Sequence, residues 1–318
     1  MKAYLGIDVG SVTCKFVLIN EKNEIIYSSY FRTEGNPISA IKNGLKELKE
    51  KSPKNIEILG VGTTGSARYL TGVIAGADLV KNEITAHAVG ASYFVPDLRT
   101  VIEIGGQDSK IIILENGVVV DFAMNTVCAA GTGSFLDAQS FRLGIPIEKF
   151  GEIALKSEKP THISGRCTIF GESDMIHKQQ IGHTTENIIA GLCQALVRNY
   201  LNAVAKGKNI QPPIIFIGGV SENLGMRKAF EESLKQKIII PDHNLVLGAF
   251  GVAFLAKEKK LEKSSFRGWD ISDMDIKCTS FQCKGCPNQC EVIEARIEDK
   301  VISRWGDRCG KWSNLSPQ

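Results

Sequence analysis

The sequence predicts an α/β protein built from two similar halves and closed by a small cysteine-rich module. Three observations lead there. A run of three alternating apolar segments followed by helical patterns occurs twice along the chain. A glycine-rich turn follows the first strand of each run, "GIDVGS" and then "VIEIGGQDS". After residue 263 the composition shifts to short polar segments that carry five cysteines at positions 278–309. The 318 residues are enough for two hydrophobic cores, and 43% hydrophobic with 23% charged residues is an ordinary globular balance. A net charge of +3 with interspersed signs argues against a nucleic-acid-binding stripe. No run of eighteen apolar residues occurs and no signal-type segment opens the chain, so a cytoplasmic protein without membrane contact is expected.

Residues 3–8, 14–19 and 25–31 alternate apolar and polar side chains between short turns, which predicts an antiparallel meander. A helix over 38–51, a strand over 56–62 ending in "GTTGSARYL" and a helix over 82–93 complete a first lobe, residues 1–97. Strands over 100–104, 110–115 and 118–123 repeat the meander and open a second lobe, 98–263. Helices then dominate, including one from 133 and a long one over 184–206, before the buried strand "PIIFIGG" and helices over 224–235 and 246–260. The last of these is a candidate to pack back on the first lobe. Residues 264–318 form the cysteine-rich module.

The hairpin tip Gly10, Ser11, Val12 and Thr13 can lay backbone amides along phosphate oxygens, because glycine allows close approach. Asp8 at the strand end would hold a Mg2+-bound water, and Lys15 would neutralise phosphate charge. Gly105, Gly106 and Gln107 repeat the turn, and Gly218 and Gly219, with Ser221 just beyond, let the backbone pass beside a purine and ribose. Gly131 and Thr132 are counted with these nucleotide contacts. Neither GxxxxGK[ST] nor GxGxxG is present, which argues against P-loop and Rossmann readings.

Over residues 3–256 these turns resemble, in their order, the superfamily of acetate and sugar kinases, chaperone ATPases and actin. That resemblance implies two ribonuclease H-like, actin-like ATPase lobes with an ATP cleft between them. It also implies that Glu103 or Gln107 positions the attacking water.

Cys128 stands before "AAGTGSFLD", directly ahead of a turn that opens the helix predicted from 133, and Cys167 stands thirty-nine positions later in "SGRCTIFGESD". Read alone, the two suit buried packing residues, and two thiolates do not complete a four-ligand site. A two-fold dimer would bring four together, as a 4Fe–4S cluster requires, with helix N-termini favouring its negative charge. "VCAAGTGSFLD", "RCTIFGESD" and "NEITAHA" resemble the ATP-dependent activators of 2-hydroxyacyl-CoA dehydratases, a family that includes benzoyl-CoA reductase subunits and reductases of double-cubane cluster proteins. The resemblance implies that Cys128 and Cys167 of two subunits share one 4Fe–4S cluster. It further implies an ATPase that drives a low-potential electron from a donor such as ferredoxin or flavodoxin to an acceptor iron–sulfur enzyme, in an anaerobic host.

Cys278, Cys283, Cys286, Cys290 and Cys309 lie too close in sequence to be incidental in a chain without secretory features. The C-x2-C knuckle and following strand pair suit a structural zinc site, while C-x2-C-x3-C suits a second iron–sulfur cluster. Cys14 and Cys193 read as packing residues. The alternative function is a small-molecule kinase of the same fold, acting on a sugar or carboxylate, with structural cysteines; an ATP-gated scaffold is a third reading.

Overall fold

The computed structural model describes residues 1–53, 55–125, 128–164 and 167–313. They divide into two compact units, residues 1–86 with 248 onward, and 87–247.

In the first unit, β1 (Lys2–Val9), β2 (Thr13–Asn20) and β3 (Ile25–Arg32) form the antiparallel meander, and β4 (Glu57–Thr64) and β5 (Leu79–Val80) extend it in parallel, in the order β3-β2-β1-β4-β5. The central strand is covered on both faces, with Ala3, Leu5, Ile7 and Val9 buried on one and Gly6 and Asp8 buried on the other. Helix α1 (Pro37–Lys51) starts where Asn36 accepts from the Ser39 amide and Pro37 occupies the first turn, and it buries Ala40, Ile41, Leu45 and Leu48. Helix α2 (Arg68–Ala75) ends on Gly76 in the left-handed region, and α3 (Glu83–Phe94) leads out of the unit.

The second unit repeats the plan. Strands β6 (Thr100–Ile104), β7 (Ser109–Glu115) and β8 (Val118–Asn125) form a meander, and β9 (Ile214–Ile217) and β10 (Ile238–Ile239) add in parallel, in the order β10-β9-β6-β7-β8. Between β8 and β9 lie α4 (Gly133–Leu143), α5 (Ile147–Leu155), α6 (Thr168–Gln180) and α7 (Thr185–Ala203); α8 (Leu224–Leu234) precedes β10. Helix α7, capped by the Thr184 hydroxyl on the Asn187 amide, runs through the core and buries Ile188, Ile189, Leu192, Leu196, Val197 and Tyr200.

Helix α9 (Leu247–Glu258) returns the chain to the first unit. It lies against β1 and β4 at Gly6 and Gly62, where an added Cβ would come within 1.8 Å of the Ala249 carbonyl oxygen and 2.2 Å of the Val252 carbonyl oxygen. Beyond a 3-10 turn over Trp269–Ser272, β11 (Ile276–Gln282), β12 (Glu291–Ile297) and β13 (Lys300–Trp305) form an antiparallel sheet of three strands, one more than the predicted pair. Ile271, Ile276 and Ile297 join the same hydrophobic cluster as Leu5, Phe16, Ile41 and Leu45, so the cysteine-bearing sheet shares the first unit's core. Among the described residues, no helix is long and apolar enough to cross a membrane.

Candidate functional site

In the first unit the antiparallel register sets Asp8 opposite Lys15, and their side chains form an ion pair at 3.2 Å. The Gly10 amide donates to the Thr13 carbonyl at 2.9 Å and closes the hairpin tip, leaving Ser11 exposed with Val12 and Thr13 half-buried. The tip is braced from β3, because the Thr33 hydroxyl donates to the Ser11 carbonyl at 2.8 Å and the Thr33 amide to the Val12 carbonyl at 2.9 Å. After β4 the chain turns at Gly65 (φ +89°), where a Cβ would lie 2.4 Å from the Val9 carbonyl oxygen and 2.6 Å from Asp8 Oδ1. Only glycine fits there, on both conformation and space. Burial pushes up the thiol of Cys14, on β2, with the Asp8 charge adding to it; it is a packing residue, as its alternation suggested.

The second unit carries the same device in the same register. Glu103 on β6 faces Lys110 on β7, and the two form a buried ion pair at 2.8 Å. Lys110 also meets Asp108 at 2.9 Å, while its carbonyl accepts from the buried Tyr200 hydroxyl at 2.8 Å. Burial, and next the Glu103 charge, hold that hydroxyl well above its ordinary pKa. The Gly105 amide donates to the Asp108 carbonyl at 3.0 Å, the counterpart of the Gly10 contact. Gly218 (φ +84°) follows β9 as Gly65 follows β4, and a Cβ on it would lie 2.6 Å from the Ile104 carbonyl oxygen and 3.0 Å from Glu103 Oε1. Both units thus present an acid on the central strand, a lysine across the hairpin and a left-handed glycine packed on the carboxylate. Sequence reasoning passed over Lys110, Asp108 and Gly65. The signal was present in the match of "IDVGSVTCK" to "IEIGGQDSK", with acid, glycine and lysine at equal spacing.

Of the two residues expected near the attacking water, Glu103 is buried and engaged by Lys110, whereas Gln107 is exposed at the turn tip. Gly105 and Gly106 seat the start of α4, since their carbonyls accept from the Gly133 and Ser134 amides, each at 2.8 Å. Gly131 and Thr132 are buried just ahead of that helix, and the Thr132 hydroxyl donates to the Ala129 carbonyl at 2.9 Å. Past Gly218 and the exposed Gly219, the buried Ser221 donates to the Gly218 carbonyl at 2.7 Å and accepts from the Asn244 amide group at 2.7 Å.

Cys128 is exposed, and the Asn125 side chain bonds both its amide (3.0 Å) and its carbonyl (2.8 Å). A single 3-10 turn, Ala129–Gly131, follows it, and Thr132 takes an extended backbone before α4 begins. Cys128 therefore heads a 3-10 turn rather than the α4 N-terminus, because "AAG" closes a tight turn and Thr132 interrupts it. Cys167 is the residue that caps an α-helix: it is half-buried, directly precedes α6, and its carbonyl accepts from the Gly171 amide at 2.9 Å. Residues 126–127 and 165–166, beside the two cysteines, lie outside the described residues. Helices α4 and α6 are tied by the Arg142–Glu172 ion pair at 2.5 Å. Cys128 and Cys167 are accessible and head a 3-10 turn and an α-helix on adjoining segments, unlike the buried Cys193, whose thiol burial pushes up to about 12.

In the first unit's C-terminal sheet, Cys283 is buried, Cys278 and Cys290 half-buried, and Cys286 and Cys309 exposed. The Trp312 indole N–H, and then the Gly285 amide, hold the Cys283 thiol below its ordinary pKa. Among the described residues, no three His, Cys, Asp or Glu side chains already stand in a metal-ligand arrangement.

Two mixed sheets of identical topology, each with a glycine hairpin and an acid at the end of its central strand, define the actin-like ATPase fold. The ethanolamine utilization protein EutJ of Carboxydothermus hydrogenoformans shares that fold at 16% identity and a TM-score of 0.55, over 79% of this chain and 89% of its own. The chain belongs to the BadF/BadG/BcrA/BcrD ATPase family, which it matches over residues 5–256. It is 36% identical to the (R)-2-hydroxyglutaryl-CoA dehydratase activating ATPase of Acidaminococcus fermentans over 257 residues, 80% of this chain and 97% of that protein. The activator of the 2-hydroxyisocaproyl-CoA dehydratase from Clostridium difficile, solved with bound ADPNP, superposes with a TM-score of 0.75 at 30% identity, covering 82% of this chain and 98% of its own. The cysteine-rich sheet lies beyond the family match.

Proposed function

We propose that this protein is an ATP-hydrolysing activator that delivers low-potential electrons, through a 4Fe–4S cluster shared by two subunits, to a partner iron–sulfur enzyme of the 2-hydroxyacyl-CoA dehydratase or benzoyl-CoA reductase type. The carrying observation is the pair of accessible cysteines, Cys128 and Cys167, at the heads of two turns in a chain of this ATPase family. The hairpin tips at Gly10–Thr13 and Gly105–Gln107 bind phosphate oxygens through amides other than those of Gly10 and Gly105, which close the hairpins, and the Gly218–Ser221 turn takes the adenosine. Asp8 orients a Mg2+-bound water, and Lys15 balances the phosphate charge once nucleotide competes for it. Gln107, exposed where Glu103 is locked to Lys110, orients the attacking water.

A homodimer is supported by apolar side chains next to the two cysteines. Ile169 and Phe170, just after Cys167, are 71% and 68% exposed, and Phe141 on the neighbouring α4 is 89% exposed. Val118, Val120, Phe122 and Met124 form an exposed stripe along β8, which ends three residues before Cys128. Such surface marks an interface, and a second copy would cover it while completing the set of four thiolates. The bound cluster would supply one-electron transfer; the chain's own part is to hold it at the heads of two turns, where backbone amides favour its charge.

Anaerobic purification followed by iron and sulfide analysis tests this reading. About two irons per subunit in a dimer are expected, with both metal and dimer weakened in Cys128→Ala and Cys167→Ala while ATP binding persists. An iron-free monomer that phosphorylates a sugar or carboxylate would replace this reading with the kinase one.

A further inference from the structure

The C-terminal sheet sorts its five cysteines into one and four. Cys278 lies in the first half of β11 opposite Ala295, and lines a cavity of about 220 Å³ with Ser66, Ala67, Leu70, Ile293 and Trp305. The other four stand on two loops at the opposite end of the strand. Cys283, Cys286 and Cys290 occupy the connection from β11 to β12, and Cys309 follows β13.

Those loops are held together by named contacts. The Cys283 amide donates to the Cys290 carbonyl at 2.8 Å, which closes the neck of the first loop. Strand β13 runs back along β12 with Trp305 opposite Ile293, so its exit returns to the start of β12. There Gly306 (φ +104°) passes so near that a Cβ would lie 2.5 Å from the carbonyl oxygen of Glu291, the neighbour of Cys290. The second loop then folds over the first. The Trp312 indole donates to Cys283 Sγ at 3.3 Å and its ring meets Phe281 edge-on at 5.0 Å, while the Asp307 carboxylate accepts from the Trp312 amide at 2.9 Å. The Gly285 amide donates to the same sulfur at 3.4 Å, two residues on from Cys283, as in a metal-binding knuckle. Two N–H donors aimed at one buried sulfur suit a thiolate ligand, and a neutral packing cysteine has no need of them.

We propose that Cys283, Cys286, Cys290 and Cys309 form a four-thiolate Zn2+ site, with Cys278 outside it. Binding draws the four sulfurs into one tetrahedral shell, and each thiol gives its proton to solvent as it ligates. A single ion with ligands at about 2.3 Å suits a neck closed by a direct Cys283–Cys290 backbone contact better than an iron–sulfur cube does. Lys284, Arg308 and Lys311, on the same two loops, offset the excess negative charge.

The test uses the full chain carrying Cys128→Ser and Cys167→Ser, so that metal at those positions does not contribute. About one zinc per subunit, without iron or sulfide, is expected there and in the further variant Cys278→Ser, and is lost in Cys283→Ser, Cys286→Ser and Cys309→Ser. Loss of folding in those variants is bypassed by alkylating the unaltered tail: Cys286 and Cys309, both exposed, should be protected with zinc bound and modified after chelation. Zinc lost with Cys278→Ser or kept with Cys309→Ser, equal alkylation with and without zinc, or iron and sulfide in zinc's place would each overturn the assignment.

Discussion

Asp8 and Glu103 occupy equivalent positions, yet their surroundings differ in a way that separates their roles. Lys15 remains partly accessible, with 15% of its side chain exposed, which suits the phosphate contact proposed for it; Lys110 has 2% exposed and is committed to Glu103. A buried charge left without its partner is costly, so Lys110→Met should lower unfolding stability by about 3–5 kcal/mol, read from the urea midpoint. Adding Glu103→Gln should restore much of that loss, since the unpaired charge is then gone. Gln107→Ala should leave nucleotide affinity nearly unchanged and slow phosphate release by about 10²-fold, as expected for a group that only orients water. A loss of affinity instead would make Gln107 a binding residue. In the C-terminal sheet, burial opposes ionisation of Glu294, but hydrogen bonds from Arg296 and Arg304 outweigh it and hold the carboxyl below its ordinary 4.5. A lowered folded-state pKa means that this stabilisation is present above pH 4.5 and is lost as pH falls through the folded value. The stability gap between wild type and Glu294→Gln should therefore shrink below that pH; a gap constant from neutrality into acid would contradict the ion-pair account.

At the scale of elements, glycines rather than large side chains set how α9 meets the first sheet. Gly6 and Gly62 lie on neighbouring strands, and both face backbone carbonyls of α9, which cannot retreat as a flexible side chain would. Gly6→Ala should destabilise the fold by about 1–3 kcal/mol or more, because the added methyl overlaps main chain. Thermal melting checks this, and an unchanged midpoint would mean that α9 shifts without cost. The same reasoning explains Gly65 and Gly218: each combines a left-handed backbone with contact to a carboxylate, so the turn and the acid are positioned together. Helix α6 places Cys167 at its head and Phe170 one turn on, which couples a thiol and an apolar surface in a single element.

At the scale of the molecule, the chain crosses from one unit to the other and back, and its C-terminal sheet completes the first core. Ile271, Ile276 and Ile297 pack in the cluster formed by β1, β2 and α1, while Lys42 donates to the Met274 carbonyl at 2.7 Å and the Arg267 guanidinium to the Val73 carbonyl at 2.9 Å. Truncation after residue 263 should therefore lower the melting temperature by several degrees, even though the family match ends earlier, at residue 256. An unaltered melt would show the sheet to be an independent appendage.

Alternation, turn glycines and caps are local, and they made both meanders, most helices and the two glycine hairpins legible in the sequence, because each depends on neighbours within a few positions. The two accessible cysteines were likewise visible as motifs. Tertiary structure alone decided which groups meet. Cross-strand register locked Glu103 onto Lys110, chain return brought Gly218 to Glu103 across more than a hundred residues, and a tight turn moved the helix-capping role from Cys128 to Cys167. Strand pairing also set Cys278 apart from the four other tail cysteines. Linear spacing could not separate them, because residues five apart in sequence can lie at opposite ends of a pairing once strands and loops are packed.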